Sequence, residues 1–110
     1  MAKKRPPKLS DRSLRRVEER AASKLAQDRE RLFVLEAGGR PERPIEAASA
    51  AVIESQAIRV PCPRCGGSHE VVEHAAVVQK GVRLREVKLC CRQCGSKRSL
   101  WFRIAPPRLN

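Results

Sequence analysis

The sequence predicts a small α+β protein, with an N-terminal helix followed by a three-stranded antiparallel sheet organised around a structural four-cysteine metal site. Three observations carry this prediction. Two Cys-x-x-Cys-Gly segments, Cys62-Pro63-Arg64-Cys65-Gly66 and Cys91-Arg92-Gln93-Cys94-Gly95, are separated by 25 residues. Stretches rich in β-branched residues lie between and after them. Apolar residues recur at helical spacing through the first third of the chain.

Elements follow in order. Residues 1–9 form a basic arm containing Pro6 and Pro7, read as disordered. Ser10 or Asp11 caps a helix within residues 10–39, because a short side-chain oxygen accepts an otherwise unpaired backbone N–H. Leu14, Val17, Ala21, Leu25, Leu32 and Leu35 fall on one helical stripe, interrupted by Asp28. Gly38-Gly39 and then Pro41 end the helix. Residues 40–61 read as a proline-containing linker and a lead-in strand near 57–61. Within it, residues 45–56 are open between helix and strand: alanine favours helix, whereas Val52 and Ile53 favour strand. Residues 62–104 are the sheet module. Strands are expected over His69–Val78, Val82–Cys90 and Ser99–Ile104, with a turn at Gln79-Lys80-Gly81. Residues 105–110 form a tail.

Composition sharpens the case for a metal. The chain has 110 residues, and its aromatic residues are Phe33, Trp101 and Phe102. Much of the apolar fraction is alanine, so a conventional core would be thin, and a metal staple is the usual remedy at this size. The N-terminal Met-Ala-Lys-Lys-Arg-Pro-Pro-Lys is not followed by an apolar run. The expected location is therefore cytoplasmic, a reducing compartment in which paired cysteines serve as metal ligands rather than disulfides.

The metal-ligand set is Cys62, Cys65, Cys91 and Cys94. Two intervening residues let a tight turn aim both sulfurs at one ion, and the glycine after the second cysteine suits the positive φ needed to close that turn. Four sulfurs complete a tetrahedral Zn²⁺ shell with no open position, the arrangement of a structural site. Cys90, the fifth cysteine, points away from Cys91 on an alternating strand and reads as a small apolar residue. The chain resembles the zinc-ribbon superfamily, whose members join two Cys-x-x-Cys-Gly knuckles by a hairpin. The likeness covers residues 62–104, and here the inter-knuckle segment is longer than a minimal hairpin. Rubredoxin also resembles this pattern, binding iron through similar knuckles in an aromatic-rich core, which this module lacks.

Net charge is +12, with 24 basic and 12 acidic residues. Four thiolates around a divalent ion carry −2, leaving the loaded chain near about +10. This favours an anionic partner, either nucleic acid (DNA or RNA) or an acidic protein surface. Candidate contact residues are Trp101 and Arg103, which alternation puts on one face of the last strand, with Arg98 nearby, and Arg64, Arg92 and Lys97 beside the knuckles. Arg83, Arg85 and Lys88 read as a solvated face. Arg16, Arg20, Lys24 and Arg31 gather away from the helix stripe, although acidic residues interleave with them. The stripe itself is available to pack on the ribbon or on a second chain. His69 and His74 stand five apart in strand context and so do not form a His-Glu-x-x-His zinc-protease site; both read as surface residues. No nucleophile–base pair or phosphate loop is visible. The expectation is a non-catalytic zinc-ribbon protein that binds or associates with nucleic acid, with a protein-interaction module as the alternative.

Overall fold

The computed structural model describes residues 10–106. The basic arm, residues 1–9, and the end of the tail, residues 107–110, lie outside the described residues. The elements are α1 (Asp11–Leu35), β1 (Ile45–Ala47), α2 (Ala50–Ile58), β2 (His69–Gln79), β3 (Val82–Cys91) and β4 (Lys97–Ile104). The strands form one mixed sheet in the order β1-β4-β3-β2.

Ser10 caps α1 through its hydroxyl, which accepts from the Ser13 N–H at 3.2 Å. The helix ends at Leu35, with the Glu36 N–H donating to the Phe33 carbonyl. No residue of α1 is buried. Its apolar stripe faces solvent and does not pack on the sheet: Leu14, Val17, Leu25, Leu32 and Leu35 are all exposed. The sheet module is touched instead from another side of the helix, by Glu30 and Phe33.

Two expectations for residues 40–61 are corrected. First, the lead-in strand near 57–61 is the end of α2 followed by a turn. Ile53 and Ala57, four residues apart and so on one helix face, are both 0 % exposed against the sheet. Burial of that face outweighs the β-propensity of Ile58-Arg59-Val60. Pro61 then disfavours helix at its predecessor. Second, the sheet has a fourth strand. β1 pairs parallel to β4, Ile45 opposite Phe102 and Ala47 opposite Ile104. Gly38 makes this possible. It adopts φ 86 and its carbonyl accepts from the Trp101 N–H at 2.8 Å. A Cβ there would lie 2.6 Å from Ile45 Cδ1.

β2 and β3 pair antiparallel, as do β3 and β4. Their hairpin turns at Lys80 (φ 49) and Gly81 (φ 79), the two positive φ values of a type I′ turn. Residues opposite each other share a face, and the pairs Val71–Leu89, Val87–Leu100 and Arg85–Phe102 define the side covered by α2. The core is Ala47, Ile53, Ala57, Val87, Leu89, Leu100 and Phe102, with Phe33, Ile45, Val52, Val60 and Val71 partly buried around it. A register shift between Val71 and Glu73 leaves Val72 as an extra, exposed residue. Beyond that bulge the phase of β2 changes, which brings His74 to the α2 side, where Nδ1 lies 3.3 Å from Glu54. His69, read as a surface residue, is 3 % exposed; it is paired with Cys91 on the same covered face.

Candidate metal centre

Both knuckles fold by the same bonds. The Cys62 carbonyl accepts from the Gly66 N–H (2.7 Å), and the Cys91 carbonyl accepts from the Gly95 N–H (3.0 Å). The Cys62 N–H donates to the Gly67 carbonyl and the Cys91 N–H to the Ser96 carbonyl, each at 2.9 Å. Gly66 and Gly95 both have φ 74, the left-handed conformation that closes each loop. The Arg92 N–H donates to the Ser68 carbonyl at 2.9 Å and ties one knuckle to the other.

The result brings together all four predicted ligand cysteines. Their Sγ atoms all lie within 4.8 Å of one another. Cys62 and Cys94 are 3.6 Å apart at sulfur, and Cys65 and Cys91 are 3.4 Å apart. A tetrahedron of sulfurs at about 2.3 Å from a central Zn²⁺ has edges of about 3.8 Å, so the spacing fits one metal ion. In each knuckle the first cysteine is buried and the second exposed. All five cysteines are free thiols. Cys90 stands outside the cluster, its sulfur facing the Cys91 and Gly95 carbonyls at 3.7 and 3.8 Å.

The electrostatics call for a cation. Burial opposes ionisation of Cys62, but hydrogen bonds from Ser96, the Cys65 and Arg64 amides and Arg98 hold its pKa down to about 5. The Cys94 amide, with those of Gln93 and the neighbouring thiols, also lowers Cys91. The Gly67 amide favours the Cys65 thiolate, yet the sulfurs of Cys91, Cys94 and Cys62 together with burial push that group up to about 12. Sulfurs this close cannot all ionise without a positive charge between them, a charge that a metal ion held by the four would supply.

A polar network surrounds the sulfurs. The Ser96 hydroxyl lies 3.0 Å from Cys94 Sγ and 3.4 Å from Cys62 Sγ. Arg98 Nη1 donates to Cys62 Sγ at 3.2 Å and to His69 Nε2. Arg98 Nη2 donates to Ser96 Oγ at 2.9 Å and to Glu30 Oε1 on α1. His69 Nδ1 lies 2.7 Å from the Val60 carbonyl. A carbonyl only accepts and a guanidinium only donates, so His69 donates from Nδ1 to Val60 and accepts at Nε2 from Arg98. Burial works against the Arg98 charge, but its bonds to Glu30 and Cys62 raise its pKa above the ordinary value.

The other sequence-predicted contact residues are dispersed. The Arg98 side chain is 5 % exposed and occupies the covered face of the sheet, not the face of Trp101 and Arg103; the reading that put Arg98 beside them is corrected by its register opposite Leu89. Trp101 is half-buried and pairs across from Glu86. Arg103 bonds Glu46, Arg64 lies 3.3 Å from Glu30 and Arg92 lies 3.7 Å from Glu70. Lys97 is exposed, with no ion pair among the described residues. Sequence reasoning did not find Glu30, His69 or Ser96. Ser96 had a signal in its place directly after the Cys-Gly knuckle; Glu30 and His69 had none, since only the fold brings residues 30, 69 and 98 together.

Among the described residues, no helix is long and apolar enough to cross a membrane. No family model, no curated protein and no solved structure matches the chain.

Proposed function

We propose that the chain is a non-catalytic zinc-ribbon protein of the cytoplasm that associates with nucleic acid, with a structural Zn²⁺ held by Cys62, Cys65, Cys91 and Cys94. The observation that carries this reading is the closed sulfur tetrahedron. With four protein ligands, the ion cross-links the two knuckles and keeps no coordination position for a substrate. All-sulfur tetrahedral coordination suits zinc, and the core beside it holds few aromatic residues of the kind found in rubredoxin. The nucleic-acid part rests on the charge of +12, which counterion release converts into phosphate affinity. Exposed Lys97, the Trp101–Arg103 face and the unburied arginines of α1 are the groups available for it.

The test measures binding of the zinc-loaded chain to random-sequence DNA and RNA at about 50 and 200 mM salt. The expected result is binding at the lower salt that weakens steeply at the higher. No binding to either polymer at low salt overturns the nucleic-acid assignment. The solvent-facing stripe of α1, with Leu14, Val17, Leu25, Leu32 and Leu35 exposed, favours a second reading as a protein-interaction module. Partner proteins that stay bound to the tagged chain after nuclease treatment distinguish that reading from the first.

A further inference from the structure

We infer that Arg98 and Glu30 form a latch through which the metal centre sets the position of helix α1. The inference rests on the metal reading of the four cysteines and is independent of the partner assignment.

α1 contributes no buried residue, so its hold on the ribbon comes from few contacts, gathered at its C-terminal end. Glu30 reaches Arg98 and Arg64. Phe33 packs at the edge of the core and lies beneath the Arg98 guanidinium, 5.7 Å from its ring centre. Arg43 in the following loop donates to the Leu35 carbonyl at 2.7 Å.

Arg98 joins this helix end to the sulfurs, and its two terminal nitrogens divide the contacts. Nη1 serves the metal side, donating to Cys62 Sγ and His69 Nε2. Nη2 serves the helix side, donating to Glu30 and Ser96. The guanidinium is rigid and planar, so the position of one nitrogen dictates that of the other. His69, anchored by its bond to the Val60 carbonyl, accepts a second bond from Nη1 and holds that nitrogen beside the sulfur. A metal ion fixes Cys62 as a thiolate in one place, which gives Nη1 a stationary anionic acceptor. The same fixed guanidinium then offers Nη2 to Glu30. Without the ion the Cys62 sulfur has no fixed position, and the docking of α1 loses its reference.

Binding couplings are reciprocal. If the metal holds α1 through Arg98, then Glu30 must strengthen metal binding through the same residue, although it lies on another element and is 68 residues from Arg98 in sequence. Arg98 and Glu30 are therefore positioning residues for the metal centre. The latch also sets how α1 presents its exposed stripe and arginines.

The experiment uses the full chain, zinc-loaded and, for the optical signature, cobalt-substituted. Metal affinity is measured by chelator competition, and the attachment of α1 by ¹⁵N relaxation of its amides relative to those of the ribbon. In the wild type, the last turns of α1 tumble with the ribbon. Glu30→Gln keeps the side-chain shape and removes the charge. It is expected to loosen α1 and weaken metal binding, while the cobalt spectrum stays tetrahedral. Arg98→Lys, which cannot bridge both sides, is expected to weaken metal binding about tenfold. Lys88→Gln, which breaks an exposed ion pair with Glu73 away from both the sulfurs and α1, is expected to leave metal affinity unchanged. Should Arg98→Lys fail to fold, Glu30→Gln decides alone. Unchanged metal affinity in Glu30→Gln overturns the latch, whether or not α1 loosens. Failure of the wild type to bind one metal ion through four thiolates overturns both the latch and the metal reading, so the two failures are separable.

Discussion

The ribbon and α1 draw on similar sequence, short of aromatic residues and rich in arginine, yet they are held together differently. The ribbon is tied together by partners distant in sequence: Cys62 with Cys94, Phe102 with Ile45, Arg98 with Glu30. In α1 the backbone bonds span four residues and the Ser10 cap spans three. Arginines accordingly do different work in the two regions. Arg64, Arg92, Arg98 and Arg103 of the ribbon each meet a carboxylate from another element. In α1, Arg31 finds only Asp28 of its own helix, at 3.9 Å with both side chains exposed, a pairing worth little. A basic residue near a metal site is thus a poor guide to a partner surface until its carboxylates have been located.

Removing the metal is the strongest way to break this comparison. Metal binding contributes about 10 kcal/mol of folding free energy in small structural sites, comparable with the whole stability of an ordinary domain. Chelation is expected to abolish the strand signal in circular dichroism and leave residual helical signal from α1. Full retention of the strand signal after verified metal loss would falsify the dependence. Acid should act in the same direction. Cys62 ionises at about 5 in the fold against 9.0 ordinarily. A depressed pKa means that stabilisation from its thiolate is complete above 9.0 and is lost as pH falls through about 5. Protons then compete with the ion for the sulfur, and metal release monitored by a colorimetric chelator should rise over that interval.

Phe102→Ala tests the apolar half of the ribbon. The side chain is 0 % exposed at the centre of the core, and truncation should cost about 3–5 kcal/mol in denaturant unfolding of the metal-loaded protein. A cost below about 0.5 kcal/mol, the range of surface substitutions, would mean that the metal holds the ribbon without help from the sheet.

Gly38→Ala tests the junction between the two regions. It combines a positive φ with a Cβ placed 2.6 Å from Ile45, and about 1–3 kcal/mol of strain is expected. Chemical shifts should change at Ile45 and Trp101 and stay fixed at the cysteines. The smallest effect belongs to Ser10→Ala. Loss of the cap should cost about 1 kcal/mol, read as fraying of the first turn of α1 by hydrogen exchange. Metal affinity should not change; if it did, the two regions would be coupled along the whole helix and not only through its last turns.

Much of the local structure was legible in the sequence. Ser10, the apolar stripe and Gly38-Gly39 marked α1 to within a few residues, and Lys80-Gly81 marked the hairpin turn, because caps and turns depend on neighbours in the chain. The two Cys-x-x-Cys-Gly spacings marked the four cysteines that converge, since each knuckle closes by bonds within five residues. Residues 45–61 were not legible. Whether Ile53 and Ala57 lie on a helix is settled by the sheet they cover, and β1 exists only because Gly38 and β4 offer it an edge.

What the sequence determined by itself is therefore the chemistry that acts over a few residues: one long helix, two sulfur turns and an excess of positive charge. What only the tertiary structure decided is which of those charges are already spoken for. The bulge at Val72 carries His74 to the α2 side of the sheet, and the register of β4 carries Arg98 beneath the helix end. There, burial turns a candidate surface contact into an internal partner of Glu30, His69 and Cys62. Coulomb attraction and desolvation depend on distance through space and not along the chain, so no spacing in the sequence announces them.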